Sequence, residues 1–494
     1  MRRTEVVLAV DLGAGSMRAA AVDGRGRLLA MAAVTLRGDE PRPGWSEIDP
    51  ERWWQALRRC VGRVLDALPR AAAVRGLCFS GLTRAQVLLD RDLVPLRPAL
   101  LFRDRRAEGD IARVAVHFPS RNPADAVTAF HPLARLAWTA RVEPRLFRRL
   151  SYVVEPKDFF NARLTGEIAA DSVTYSRFDA LRRPPAAPGW LQRCLDLLAL
   201  PRKAPWAPVG RVIAKETPFG RLQGLPVFAG AMDTWAAVTG SGAVLAGQAY
   251  DVAGTTEAVG LLGRRRRSVR GLVSIAWGDG LYQVGGPTQI GADAIAWCHR
   301  TFRVRGPLAA AVERVARRAP SADLPLLLPY LAGERVPLWR TDIRGAFHRV
   351  AREHDPDAFL WATLEGSAHA VRDILSIAST GSGESLREVR VSGGGARSNA
   401  WCQLKADVTG LPFVRTPHAE AGLIGAAMAG AVGLGWFSSV GASAARMCPV
   451  ERVFEPRRKF AGLYAERATL YQQAKEAALA EADAAAARRR TDMV

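Results

Sequence analysis

The chain has 494 residues, 49% hydrophobic and 24% charged, with a mean hydropathy of -0.02. That balance excludes a disordered chain and a bundle of membrane spans, and it provides core for two large domains or three ordinary ones. The formal charge of +21 rests on 69 basic residues, only six of them lysine; the arginines run through the whole chain, and no recognition motif accompanies the denser runs at 264–267 with Arg270 and at 488–490, so no nucleic-acid partner is expected.

In chain order, residues 1–5 pass from two arginines straight into a strand-like run, without the apolar segment and cleavage site of a secretory signal, so a cytoplasmic location is expected. The six cysteines (Cys60, Cys78, Cys194, Cys298, Cys402, Cys448) never come closer than 18 positions, which excludes zinc and CxxC redox spacings and agrees with reduced thiols. Apolar runs at 6–10, 19–22 and toward Ala33, separated by a glycine turn and by Asp23-Gly24, predict a strand meander. The first turn, DLGAGSMR over 11–18, ends a strand on Asp11 and then offers Gly13, Ala14, Gly15 and Ser16. Backbone N–H groups there can cradle a phosphate, or the segment is a plain hairpin.

Farther along, residues 227–244 predict an apolar strand ending at Asp233 and an alanine-rich helix beyond it. An Asp in that place suits an N-cap or a general base facing a cleft. Residues 249–262 repeat the strand-turn-strand pattern around Gly254, Thr255 and Thr256, so the second half echoes the first. SGGGARSN over 392–399 follows an apolar strand and precedes a helix; its glycines let a flat ring approach the backbone, or make a close crossover. Residues 421–445 carry no charge over 25 positions, but alanine, glycine and serine dominate and Gly433 and Gly435 break the run. A tightly packed interior helix is expected there, not a membrane span.

None of the three glycine turns holds a lysine, GxxxxGK[ST] is missing, and Arg18 breaks a GxGxxG reading at Gly13 and Gly15. The lysine, HRD and DFG marks of protein kinases are also missing. A cradle without lysine would neutralise a triphosphate with backbone donors, the hydroxyls of Ser16, Thr255 and Thr256, and a metal ion.

Taken in order, these elements resemble the FGGY carbohydrate kinases of the actin and hexokinase superfamily. The resemblance also covers GWSEIDPERWWQAL (44–57), PLRPALLFRDRRA (95–107), DFFNARLTGEIAADS (158–172), PYLAGERVPLWRTDIRGAF (329–347), LEGSAHAVRDIL (364–375) and GGGARSNAWCQLKADVTGLPF (393–413). It implies an α/β fold with two RNase H-like domains, actin/hexokinase-type, and an interdomain active-site cleft. Residues 1–245 would bind sugar and carry the base, 246–455 would bind ATP, and 456–494 would form a C-terminal helix and basic tail. The implied activity is ATP-dependent transfer of the γ-phosphoryl group to a hydroxyl of a ketopentose such as xylulose, or of a related polyol. A kinase-fold sensor without turnover stays open, as does a kinase for a tetritol, pentitol or sugar acid.

By matching motif, Asp11 looks like the residue that holds Mg2+ through water, with Asp233 beside the metal as general base. Residues 13–16 and 254–256 look like the two phosphate loops, and Gly291, Gly394, Gly395 and Asn399 like the adenosine side. The sugar contacts fall on Thr83, Arg84, Gln86 and Asp104, with Asp233. Where xylulose kinases tend to show Gln-Met-His-Gly, this chain has Leu82, Thr83, Arg84 and Ala85. Arg84 then makes a surface salt bridge, or meets a substrate bearing an acid or extra hydroxyls. Arg135 replaces a usual lysine, and His348 and Arg349 stand where relatives often have a glycine; neither departure is expected to touch the chemistry. No histidine has metal-ligand spacing, and Trp53, Trp54 and Trp297 are expected in core or interface. The expected partner is a small sugar or polyol, with no membrane, and a homodimer remains one open assembly.

Overall fold

The computed structural model describes residues 3–179, 181 and 187–491. The meander forms as β1 (Thr4–Leu12), β2 (Ser16–Asp23) and β3 (Leu28–Thr35). In β1 every residue from Val6 to Val10 is buried, because both faces of the sheet are covered, and its apolar residues therefore run without alternation. One cover is α1 (Pro50–Ala67): Asp49 accepts the Glu51 N–H, Pro50 sits in the first turn, and Trp53, Trp54, Leu57, Val61 and Val64 form the buried stripe. β4 (Ala72–Gly81), β5 (Pro208–Arg211) and β6 (Pro226–Met232) complete a sheet of order β5-β6-β4-β1-β2-β3.

Beyond the helix α2 (Asp233–Gly240) the pattern starts again. A second sheet is built from β7 (Gln248–Ala253), β8 (Glu257–Gly263), β9 (Val273–Gly278), β10 (Leu281–Pro287), β11 (Glu388–Ser392), β12 (Phe413–Arg415) and β13 (Arg452–Phe454). Its order is β9-β10-β8-β7-β11-β12-β13. The run β3-β2-β1-β4-β6 of the first sheet and β10-β8-β7-β11-β12 of the second share one topology, two antiparallel pairings followed by two parallel ones. The echo seen in the glycine turns thus extends to whole sheets.

Further helices are α3 (Pro356–Ser382), α4 (Asn399–Thr409), α5 (Ala421–Gly433) and α6 (Ala461–Thr491). Helices α2 and α5 are sandwiched between the sheets in one core. Val7 and Ala9 of β1, Trp235 and Ala236 of α2, Ile424 and Met428 of α5, and Tyr250 and Leu262 of the second sheet all belong to it. The small residues permit backbone contact: a Cβ added at Gly240 would stand 1.9 Å from the Ala421 oxygen, and one at Gly425 would stand 1.9 Å from the Ala236 oxygen. This close crossing is why the charge-free stretch contains so little bulk, and no described helix is long and apolar enough to cross a membrane.

The C-terminal helix α6 returns to the second half. Arg467 is fully buried and donates to both oxygens of Glu365 in α3, Lys475 Nζ meets Asp373 Oδ2 at 2.8 Å, and the Tyr330 and Tyr471 hydroxyls lie 2.9 Å apart. Of the arginine run at the end of α6, the Arg489 and Arg490 side chains lie outside the described residues. All six cysteines are buried and unpaired.

Candidate active site

Strands β1, β4 and β6 run parallel, so their C-terminal ends bring Asp11, Ser80 and Asp233 to one edge of the first sheet. Loops at such strand ends are the usual place for ligands in α/β sheets. Ser80 Oγ donates to Asp11 Oδ1 at 2.8 Å. Burial pushes the Asp11 carboxyl up, with Glu420 adding to the rise and Ser80 and Arg18 opposing it. Asp233 is the first residue of α2 and is partly buried. Among the described residues its carboxylate accepts only from Thr234, at 2.7 Å from the backbone N–H and 3.3 Å from the hydroxyl. Met232 precedes it in the cap position, so Asp233 lies inside the first turn and takes no N–H beyond that of Thr234. Burial first, and then the negative charge of Asp11, push Asp233 up to about 7. The two carboxylates are therefore neighbours, and no described cation pairs with either.

The first turn is exposed at Ala14 and Gly15. Gly13 N–H donates to the Ser16 carbonyl at 2.9 Å, and a Cβ at Gly15 would meet nothing within 4 Å, so the space over the turn is open. In the second half, Thr255 and Thr256 are likewise exposed. Gly291 lies against this turn: a Cβ there would stand 2.5 Å from the Thr255 oxygen, so only glycine permits the approach. Gly395 packs on Ala253 with equal economy, 2.8 Å from an added Cβ to the Ala253 Cβ. Gly254, Thr255, Thr256, Gly291, Gly394 and Gly395 are thus gathered around the end of β7. Asn399 opens α4 beside them, and its buried side-chain oxygen has no partner among the described residues.

A lysine does stand beneath this turn. Lys405 of α4 donates from Nζ to Asp251 Oδ2 at 2.6 Å and Glu257 Oε1 at 2.7 Å, one acid on each arm of the β7–β8 hairpin. Burial pushes Glu257 up to about 8 against the pull of Lys405. Against burial, Asp251 and Glu257 hold the Lys405 ammonium above its usual range.

Thr83, Arg84 and Gln86 follow the end of β4. Glu155 ties this loop: its Oε1 accepts from Thr83 Oγ1 at 3.2 Å and from Arg84 N–H at 3.3 Å, and Arg177 Nη2 donates to the same oxygen. Gln86 is 5% exposed, and neither atom of its amide has a partner among the described residues. Two expectations need correction. Asp104 is 0% exposed, with Oδ2 accepting the Ser46 N–H at 2.7 Å and both oxygens held by Arg106, so it orders the loop and cannot meet an acceptor. Arg135 does touch this segment: its guanidinium donates to the Arg84 carbonyl at 2.6 Å and to the Leu101 carbonyl, which fixes the 83–86 loop from behind.

Two sheets of one topology, each with a glycine turn at its edge, call for a family that pairs such halves. Residues 6–203 match the N-terminal domain of the FGGY family of carbohydrate kinases, and residues 249–434 match its C-terminal domain. The chain belongs to this family. It is a phosphotransferase that acts on a sugar hydroxyl. This kinase is 28% identical over 482 residues to xylulose kinase of Staphylococcus epidermidis, across 95% of this chain and 96% of that one. With xylulose kinase of Escherichia coli strain K12 it shares 27% over 419 residues, 82% and 84% of the two chains. Its fold superposes on xylulose kinase from Rhodospirillum rubrum with a TM-score of 0.87 at 23% identity, covering 97% and 100% of the two chains.

Among the described residues of this kinase no group of three or more His, Cys, Asp or Glu side chains could hold a metal ion. A Mg2+ that arrives with nucleotide phosphates needs less, one or two carboxylates and waters, and the unneutralised Asp11 and Asp233 fit that donor set. Glu155, Arg177 and Lys405 escaped sequence reasoning. Lys405 alone left a signal, being one of six lysines and lying in the helix right after the glycine run.

Proposed function

We propose that this kinase transfers the γ-phosphoryl group of ATP to a hydroxyl of a small polyhydroxylated acceptor of ketopentose or polyol size, with Asp233 as the general base. The observation that carries this reading is the pair Asp11 and Asp233, which flank the end of β4 and feel each other's charge, with no ion pair to either among the described residues. A carboxylate near 7 is matched to taking a hydroxyl proton at neutral pH, a contribution of roughly 10² to 10⁴ in rate. Turns 13–16 and 254–256 supply backbone N–H groups and hydroxyls to the triphosphate from opposite sides. Gly291, Gly394, Gly395 and Asn399 take the adenosine. Mg2+, when bound, neutralises charge on the β- and γ-phosphates. Asp11 and Asp233 would hold it, with the Ser80 hydroxyl fixing the Asp11 carboxylate.

In this reading residues 1–245 carry the acceptor and the base, 246–455 carry the nucleotide, and α6 in 456–494 braces the second half. The acceptor loop is Thr83, Arg84 and Gln86, with Arg135 and Glu155 as positioning residues. Xylulose, the acceptor in the names of the relatives above, is the first to try. A coupled ADP-release screen over ketopentoses, tetritols, pentitols and sugar acids tests the reading: acceptor-dependent ADP formation with one class is expected. Acceptor-independent hydrolysis alone would contradict it.

A further inference from the structure

Arg84 is built unlike an ordinary surface arginine. Its backbone is pinned at both ends, the N–H on Glu155 at 3.3 Å and the carbonyl under Arg135 at 2.6 Å. Its φ is 59°, in the left-handed region that an arginine seldom adopts. The guanidinium carried on this backbone makes no hydrogen bond or ion pair among the described residues, although the side chain is half buried. It lines a narrow crevice with Gln86, Glu155, Tyr175 and Arg177.

The charge around it is lopsided. Arg177 is already engaged with Glu155 and Thr83, and Arg335 reaches the region from the second half, its Nη2 on the Thr288 carbonyl. Burial, then Arg177 and Arg335, bring Arg84 down to about 10 with only Glu155 opposing, which leaves it charged at neutral pH. His131 is held down to about 3 by burial and by the same Arg177 and Arg84. Arg135 behind the loop adds a further cation. A neutral sugar entering here would leave the half-buried Arg84 guanidinium without a hydrogen-bond partner and sharing the one Glu155 carboxylate with Arg177, which is costly. An oxyanion would satisfy it, and the planar fork suits a carboxylate with two parallel N–H donors. Gln86, buried with an unpartnered amide, offers further hydrogen bonds in the same crevice.

We propose that the acceptor is a sugar acid, its carboxylate gripped by Arg84 while Asp233 faces the hydroxyl to be phosphorylated. This deepens the reading above and rests on it. In the transfer the acceptor O–H breaks and its proton passes to the Asp233 carboxylate. The new bond joins that oxygen to the γ-phosphorus, the bond from γ-phosphorus to the bridging oxygen breaks, and ADP leaves. The acceptor carboxylate and Arg84 keep their charges throughout.

The test measures binding by calorimetry and turnover by ADP release on the full chain. Erythronate, xylonate and gluconate are set against erythritol, xylitol and glucitol, with xylulose and ribose 5-phosphate as further arms. At least one aldonate is expected to bind at least tenfold tighter than its alditol, and Arg84→Asn, which tolerates the left-handed φ, is expected to weaken it roughly 10- to 100-fold. The preference for acid over alditol then collapses toward one. Should the Asn variant lose its thermal transition, Arg84→Lys keeps the charge without the fork, and an intermediate loss is expected. Aldonates that bind no better than alditols, or a preference unchanged in the Arg84 variants, would overturn the proposal. A preference for ribose 5-phosphate would overturn the carboxylate assignment. Arg84-dependent aldonate binding without any turnover would instead leave this proposal standing and remove the phosphotransfer reading beneath it.

Discussion

The two glycine hairpins of this kinase occupy equivalent places in equivalent sheets, and each has a pair of acids at its base. Beneath the second, Asp251 and Glu257 close on the buried Lys405, three groups within hydrogen-bond distance. At the first, Asp11 and Asp233 stand on either side of the β4 end with no such ammonium, and the like charge of Asp11 contributes to holding Asp233 near 7. One backbone pattern thus serves two electrostatic purposes. The pair Asp251 and Glu257 is held by an ammonium, and the pair at the first hairpin has none, which is what the proposed proton and metal roles of Asp11 and Asp233 require.

The largest effect that separates them is expected from Asp233→Ala. Turnover of the true acceptor should fall roughly 10²- to 10⁴-fold while ATP affinity, measured by calorimetry, stays nearly unchanged. Unchanged turnover would remove the distinction between the hairpins. Lys405→Met should instead act on folding, since it strands two buried acids, at about 3–5 kcal/mol in urea unfolding. Without the pull of Lys405 the folded pKa of Glu257 would lie still further above its unfolded one, so the deficit should be smallest near pH 4 and grow as pH rises through 8. A variant as stable as the parent at pH 8.5 would show that the second pair needs no neutralisation.

Smaller effects sharpen the comparison. As the proposed base Asp233 has to be deprotonated, so kcat/KM should fall tenfold per unit as pH drops below about 7. In Asp11→Asn the residual activity should keep this limb but move it about one unit lower, because a like charge has gone. A limb that stays in place would mean burial alone sets it. Thr255→Ala should raise the KM for ATP only about 2- to 10-fold, the worth of one neutral hydrogen bond.

Much of this could be read from the chain itself. The apolar runs into Asp11 and Asp233 are continuous because both strands are covered on two faces, and that burial pattern marks strand ends where polar residues emerge. The echo at residues 249–262 was legible because glycine turns survive where side chains diverge. What stayed hidden was long range. Lys405 meets Glu257 across 148 positions, and Glu155 meets the Arg84 N–H across 71. No local period reports such pairings. Asp104 illustrates the converse error, since Arg106, two positions on, claims the carboxylate, and motif matching does not distinguish a buried ion pair from a ligand group.

The most direct test is a crystal structure of the full chain with Mg2+ and a non-hydrolysable ATP analogue. The γ-phosphate is expected between turns 13–16 and 254–256, with the Asp233 carboxylate open toward the acceptor crevice. Nucleotide density away from either turn, or an Asp233 side chain turned from the phosphate, would contradict the account.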